Sequence, residues 1–171
     1  SSTRGAAGRA LAAVGAWDAA AETLREALDG WRSIDCAQSS YALCELLRVE
    51  GIRGDAHQVS VLQELAEDEL SKVLPVDALP YVALALGRAH AQLGAWEPAR
   101  RALWSEHLAA HAPTHVRAAA NRWRAVVARA CGDAPALVET MSDLERLGPS
   151  DQLVLAQLDA EPAARERQAL L

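Results

Sequence analysis

Apolar positions recur along this chain every three or four residues, and nowhere alternate with polar ones over any length. The runs AAGRALAAV (6–14), SYALCELLRVEGIR (40–53), YVALALGRAHAQL (81–93) and VRAAANRWRAVVARAC (116–131) carry the helical period. Each run reaches a glycine that breaks the pattern: Gly15, Gly54, Gly94 and Gly132, at separations of 39, 40 and 38 residues. A second helical run follows each glycine: 17–31, 55–73, 96–110 and 133–147. The absence of period-two alternation predicts no strands.

Start and stop signals agree with this division. Asp18, Asp55 and Asp133 are placed to cap helix N-termini, and Pro98 and Pro135 fall in first turns, where a missing N–H is harmless. Pro75, Pro113 and Pro149 follow the second helices and end them, while Thr114 and Ser150 stand as caps for what comes next. Each unit is thus helix A, a tight turn at glycine, and helix B. The glycine permits the positive φ that closes helix A. Trp17 and Trp96, two residues after their glycines, start helix B and fill the wedge between the helices. One such hairpin cannot bury its apolar face alone, so the units are expected to stack into a curved solenoid. The expected fold is all-α, with one array over 1–149 divided at about 1–33, 34–75, 76–113 and 114–149. The tail 150–171 breaks the pattern and reads as a helical cap or a partial fifth unit.

Composition supports helices and narrows the classes. Of 171 residues, 51% are hydrophobic, with Phe absent, and Ala and Leu, both strong helix formers, dominate. The net charge of −6 argues against direct nucleic-acid contact. Lys occurs once, at Lys72, so Arg supplies the positive charge; the Arg and Ala bias reads as that of a GC-rich genome. Cys36, Cys44 and Cys131 show no CxxC spacing, which fits a reducing cytoplasm, and Cys44 and Cys131 sit in apolar runs as core thiols. No apolar run is long enough to span a bilayer and no secretory signal is visible, so a cytoplasmic protein without membrane contact is expected. The chain does not begin with Met, which reads as a piece of a longer protein.

These joints resemble tetratricopeptide repeats, which place a small residue seven before the hinge glycine, an aromatic two after it and Ala five after. The unit around Gly15 has Gly8, Trp17, Ala20, Leu24 and Ala27; the unit around Gly94 has Gly87, Trp96, Ala99 and Leu103. The Gly54 unit departs with Leu47, Ala56, Val59 and Gln63, and the Gly132 unit with Ala125, Ala134, Leu137 and Met141. The resemblance covers roughly residues 2–148 and implies a right-handed superhelix of antiparallel helix pairs, with helix A lining the concave groove. Units of 38–40 residues exceed the family's usual length and are similar to the helical sensor regions of MalT-like bacterial transcription regulators. The phosphate loop and DNA-binding module of those regulators are not found here: there is no GxxxxGK[ST] and no basic recognition helix.

Counting back six from the hinges gives Arg9, Arg48, Arg88 and Val126; counting back thirteen gives Ser2, Tyr41, Tyr81 and Ala119. Offsets of 13, 10, 6 and 3 share one helix face, and in the fourth unit the intermediate offsets hold Arg122 and Arg129. Arg9, Arg48, Arg88, Arg122 and Arg129 therefore form a candidate basic stripe flanked by Tyr41 and Tyr81. Guanidinium rows bind carboxylates or phosphates bidentately, so an acidic peptide or small anionic ligand is the matching partner. The competing reading is a solvated or internally paired face.

Catalytic and metal constellations are not found in the sequence. His107, His111 and His115 are spaced by four, but Pro113 intervenes and no third ligand follows. No GxSxG occurs, and the acids of ELAEDEL (64–70) read as the solvated side of a helix B. Trp104 and Trp123 are core candidates and Trp31 a candidate for exposure at a unit boundary. With only Lys72 and only Asn121, the Lys/Asn carboxylate clamp of co-chaperone arrays is disfavoured. The expectation is a non-catalytic interaction or ligand-sensing module of a larger bacterial signalling or transcription-regulatory protein, without cofactor or metal. The alternative is a spacer or oligomerisation scaffold that associates through its array ends.

Overall fold

The computed structural model describes residues 2–33, 38–71, 78–109 and 112–146. Among these the chain is all-α. Its elements are α1 (Ser2–Ala13), α2 (Trp17–Arg32), α3 (Gln38–Arg53), α4 (Ala56–Ser71), α5 (Leu79–Gln92), α6 (Trp96–Leu103), a 3-10 turn (Glu106–Leu108), α7 (Thr114–Cys131) and α8 (Ala134–Glu145). No strand occurs among the described residues. Pro75, Pro149, Ser150, Lys72, Cys36, His111 and the tail 150–171 lie outside them.

Within each helix pair the joint is built the same way. Gly15, Gly54, Gly94 and Gly132 have φ of 79, 76, 72 and 70°. The amide after each glycine donates five residues back: Ala16 to Leu11 (2.9 Å), Asp55 to Glu50 (3.1 Å), Ala95 to His90 (2.9 Å) and Asp133 to Ala128 (2.9 Å). The glycine amides donate three residues back, at 3.1–3.3 Å. Left-handed glycine thus turns the chain while satisfying carbonyls that the helix end would leave bare. Trp17 and Trp96 fold back over the turn, 3.9 and 3.8 Å from where a Cβ on Gly15 or Gly94 would stand. Both are partly buried against the core.

The pairs are layered in chain order. α1 packs on α2, α3 on α4, α5 on α6 and α7 on α8. α2, α4 and α6 each pack also on the next odd-numbered helix, and the odd helices contact one another, α1 with α3, α3 with α5 and α5 with α7. Two apolar clusters meet at α5. Its Val82, Leu86 and Ala89 join Leu24, Leu43, Leu47 and Val59; its Ala83 and Ala91 join Leu103, Leu108, Val116 and Val127. In the last pair α8 buries only Thr140 fully and leaves Val138 and Met141 exposed.

Several local expectations need correction. Asp55 and Asp133 do cap, accepting from the Gln58 and Ala136 amides at 3.0 and 3.2 Å. Asp18 does not: it lies inside α2 and reaches Arg53 of α3 instead, at 2.9 Å. Thr114 is the first residue of α7, whose N-cap is Pro113. The helix expected over 96–110 ends at Leu103. Arg124 of α7 donates to the Leu103 carbonyl at 2.8 Å, and the Trp104 ring lies 5.5 Å from the guanidiniums of both Arg100 and Arg124. The carbonyl left without a helical donor where α6 ends is thus answered from the neighbouring helix, with a cation-held aromatic beyond it. Trp104 is therefore a surface residue and not core, whereas Trp31, expected at the surface, is buried against Gly5. Trp123 is partly buried on the second cluster. Cys44 packs against the first cluster, but Cys131, the last residue of α7, is exposed.

Candidate functional site

The odd-numbered helices carry the residues that the sequence singles out. Tyr41 stands in the first turn of α3, Tyr81 in the first turn of α5 and His115 in the first turn of α7. Because these helices pack side by side, their first turns line up. The Tyr41 and Tyr81 rings are 6.3 Å apart, tilted by 55°, and the Tyr81 and His115 rings 5.8 Å apart, tilted by 49°. Tilted rings at this spacing set the positive edge of one against the negative face of the next. Tyr81 Oη lies 3.0 Å from His115 Nε2. The row is accessible at both ends, where Tyr41 is 50% exposed and His115 is also exposed. Sequence counting missed His115 because α7 begins a turn earlier relative to its glycine than α5 does.

The arginines divide into two groups. Arg48 bonds Glu45 one turn away at 3.0 Å, and its side chain is only 14% exposed. Arg88 lies over the Trp123 ring of the next odd helix, 5.6 Å from its centroid. Arg122 is partly buried, and burial pushes its pKa below the ordinary value. Arg48 and Arg88 thus serve internal contacts. Arg9 and Arg129 are exposed and make no ion pair among the described residues. The structure therefore joins Tyr41 to Tyr81 directly, pairs Arg48 within α3 and draws Arg88 into the packing between odd helices.

A second polar cluster links the first two helix pairs. Glu50, fully buried, accepts from Arg25 of α2 at 2.7 Å and from Arg53 at 2.5 Å. Arg53 continues to Asp18 of α2 at 2.9 Å. Burial acts to lower the Arg53 pKa, but the Glu50 and Asp18 carboxylates outweigh it and raise it. The signal in the sequence was an acid within the apolar α3 run, four residues before a hinge. The cluster ties α2 to α3, with Glu50 sealed at its centre and Asp18 at its exposed edge.

Reactive groups are held quiet or apart. Burial, with Glu45 adding to it, pushes the Cys44 thiol up, so it is not a thiolate at neutral pH. His107 stands in the 3-10 turn, not on α6, His111 lies outside the described residues, and His115 is taken by Tyr81. No group of three or more His, Cys, Asp or Glu suited to a metal ion occurs among the described residues. No helix among them is long and apolar enough to cross a membrane. Comparison with protein-family models, with curated proteins and with solved structures finds no match for this chain.

Proposed function

We propose that this chain is a non-catalytic interaction or sensing module, a tetratricopeptide-like array of helix pairs wound into a right-handed superhelix, similar to the sensor region of MalT-like regulators. Its partner is an acidic peptide segment or small anionic ligand held against the odd-helix face, within a larger bacterial regulatory protein of the cytoplasm. The observation that carries the reading is the ring row Tyr41–Tyr81–His115 across three successive odd helices. Aromatic platforms of this kind supply contact area at little entropy cost, and Arg9 and Arg129 leave positive charge exposed on helices of the same set. The four like joints and the odd-on-odd packing support the array geometry.

The test is selection from a peptide display library, followed by titration of the selected synthetic peptides. Acidic sequences should dominate, and Tyr41→Ala, Arg9→Glu and Arg129→Glu should each weaken binding about three- to thirtyfold, as 0.7–2 kcal/mol contacts do. Selection of peptides without acidic bias, or binding indifferent to all three changes, contradicts the proposal.

One observation favours the scaffold reading. α8 exposes Val138 (70%) and Met141 (46%) at the end of the described array. Association through that face would show as concentration-dependent mass in sedimentation, abolished by Val138→Glu.

A further inference from the structure

The register four residues before each hinge glycine holds Leu11, Glu50, His90 and Ala128. Two of these are polar, and both are buried. Glu50 is answered by two arginines. His90 is not answered: it is 7% exposed, and its Nε2 is buried without a hydrogen-bond partner. Native proteins rarely leave such an atom open, because the desolvation it has suffered is repaid by nothing.

His90 lines a cleft of about 270 Å³ between α4, α5, α6 and the segment that follows α6. Ser105, also on its wall, has a buried Oγ without a partner. Leu86 and Ala102 supply an apolar lining. Two opposite charges complete the wall: Glu67 from α4 and Arg101 from α6, both close enough to act on the His90 ring. Gln63 donates to one Glu67 oxygen at 2.7 Å. The volume lies just under the range of about 300–1,000 Å³ that takes drug-sized ligands, so the cleft has room for a small metabolite.

We propose that this cleft binds a free amino acid. Arg101 takes the α-carboxylate, Glu67 takes the α-ammonium, His90 and Ser105 complete the polar contacts, and the side chain lies along Leu86 and Ala102. A ligand of a single sign would meet one of the two wall charges unfavourably, whereas a zwitterion matches both. The cleft lies among α4, α5 and α6 and is separate from the ring row of Tyr41, Tyr81 and His115, so neither proposal depends on the other.

The test is NMR titration of the whole chain with each of the twenty proteinogenic amino acids, following the assigned His90 imidazole signals. Each hit is compared with its single-charge counterparts, the amino acid amide and the deaminated acid. At least one amino acid should shift the His90 signals saturably, with Kd below about 1 mM. Both counterparts should bind at least about tenfold more weakly, as should the exposed-site variant Arg101→Gln, while Arg117→Gln on α7 should bind like the wild type. No saturable shift at about 10 mM from any amino acid overturns the proposal and leaves a water-filled cleft. So does a counterpart that binds as tightly as its amino acid, or Arg101→Gln binding unchanged.

Discussion

Gly87 of α5 and Leu103 of α6 approach so closely that a Cβ on Gly87 would stand 2.5 Å from Leu103 Cγ. Gly8 and Leu24 repeat the contact in the first pair, at 2.7 Å. The glycine lets helix B lie directly on helix A, and the buried leucine fills the space a side chain would take. Gly87→Ala should therefore destabilise the fold: overpacking costs about 1–3 kcal/mol, against about 1 kcal/mol gained in helix propensity. Gly30, inside α2 with nothing within 4 Å of its added Cβ, is the control. Gly30→Ala should stabilise by about 0.5–1 kcal/mol. Urea midpoints of the two variants should move in opposite directions, and movement of both the same way would contradict the packing account.

The buried ion cluster predicts an asymmetry between its members. Glu50 is sealed, but the Arg25 and Arg53 side chains remain 42% and 27% exposed. Removing the acid leaves cations that still reach water, whereas removing Arg53 strands part of a buried negative charge. Arg53→Met should cost about 2–3 kcal/mol, less than a fully enclosed pair because the guanidinium is partly solvated. Glu50→Leu should lie within about 1 kcal/mol of the wild type. Chemical denaturation of both variants checks this, and a larger loss for Glu50→Leu would reverse the assignment.

His90 gives the fold a pH dependence whose sign is fixed. Burial lowers its pKa below the ordinary 6.5, the Arg101 cation lowers it further and Glu67 works against both. The folded ring stays neutral while the unfolded chain takes up a proton, so this stabilising contribution is complete above about pH 6.5 and fades as the pH falls below it. Stability measured between about pH 7 and pH 5.5 should decline less steeply in His90→Asn than in the wild type. His107 also lines the cleft and Gln63 faces it from α4, so His107→Asn is the matched comparison. Equal slopes in wild type and His90→Asn would show that folding leaves the His90 pKa unshifted and would contradict this account.

Much of the architecture was legible because a glycine with positive φ leaves a sharp mark. Gly15, Gly54, Gly94 and Gly132 interrupt helical periods at near-equal spacing, and all four adopt the left-handed turn. The Tyr41–Tyr81 contact was legible for the same reason, since equal offsets from equivalent turns bring residues side by side. Side-chain partners were not. Arg48 and Arg88 share a register with Arg9, yet Glu45 and Trp123 engage them; the Glu45–Arg48 spacing of three is readable along the helix, whereas Trp123 meets Arg88 only through folding. The early end of α6 was hidden because the residue that answers its last carbonyl, Arg124, lies 21 residues away. Asp18 looked like a cap until Arg53, brought close by folding, offered it an ion pair.

The proposed function stands on the odd-helix face, and NMR mapping with a selected acidic peptide tests it most directly. The account predicts that amide shifts concentrate at the first turns of α3, α5 and α7, around Tyr41, Tyr81 and His115, and that Tyr41→Ala reduces them together. Shifts confined to α2, α4 and α6, or to the exposed Val138 and Met141 face of α8, would contradict it.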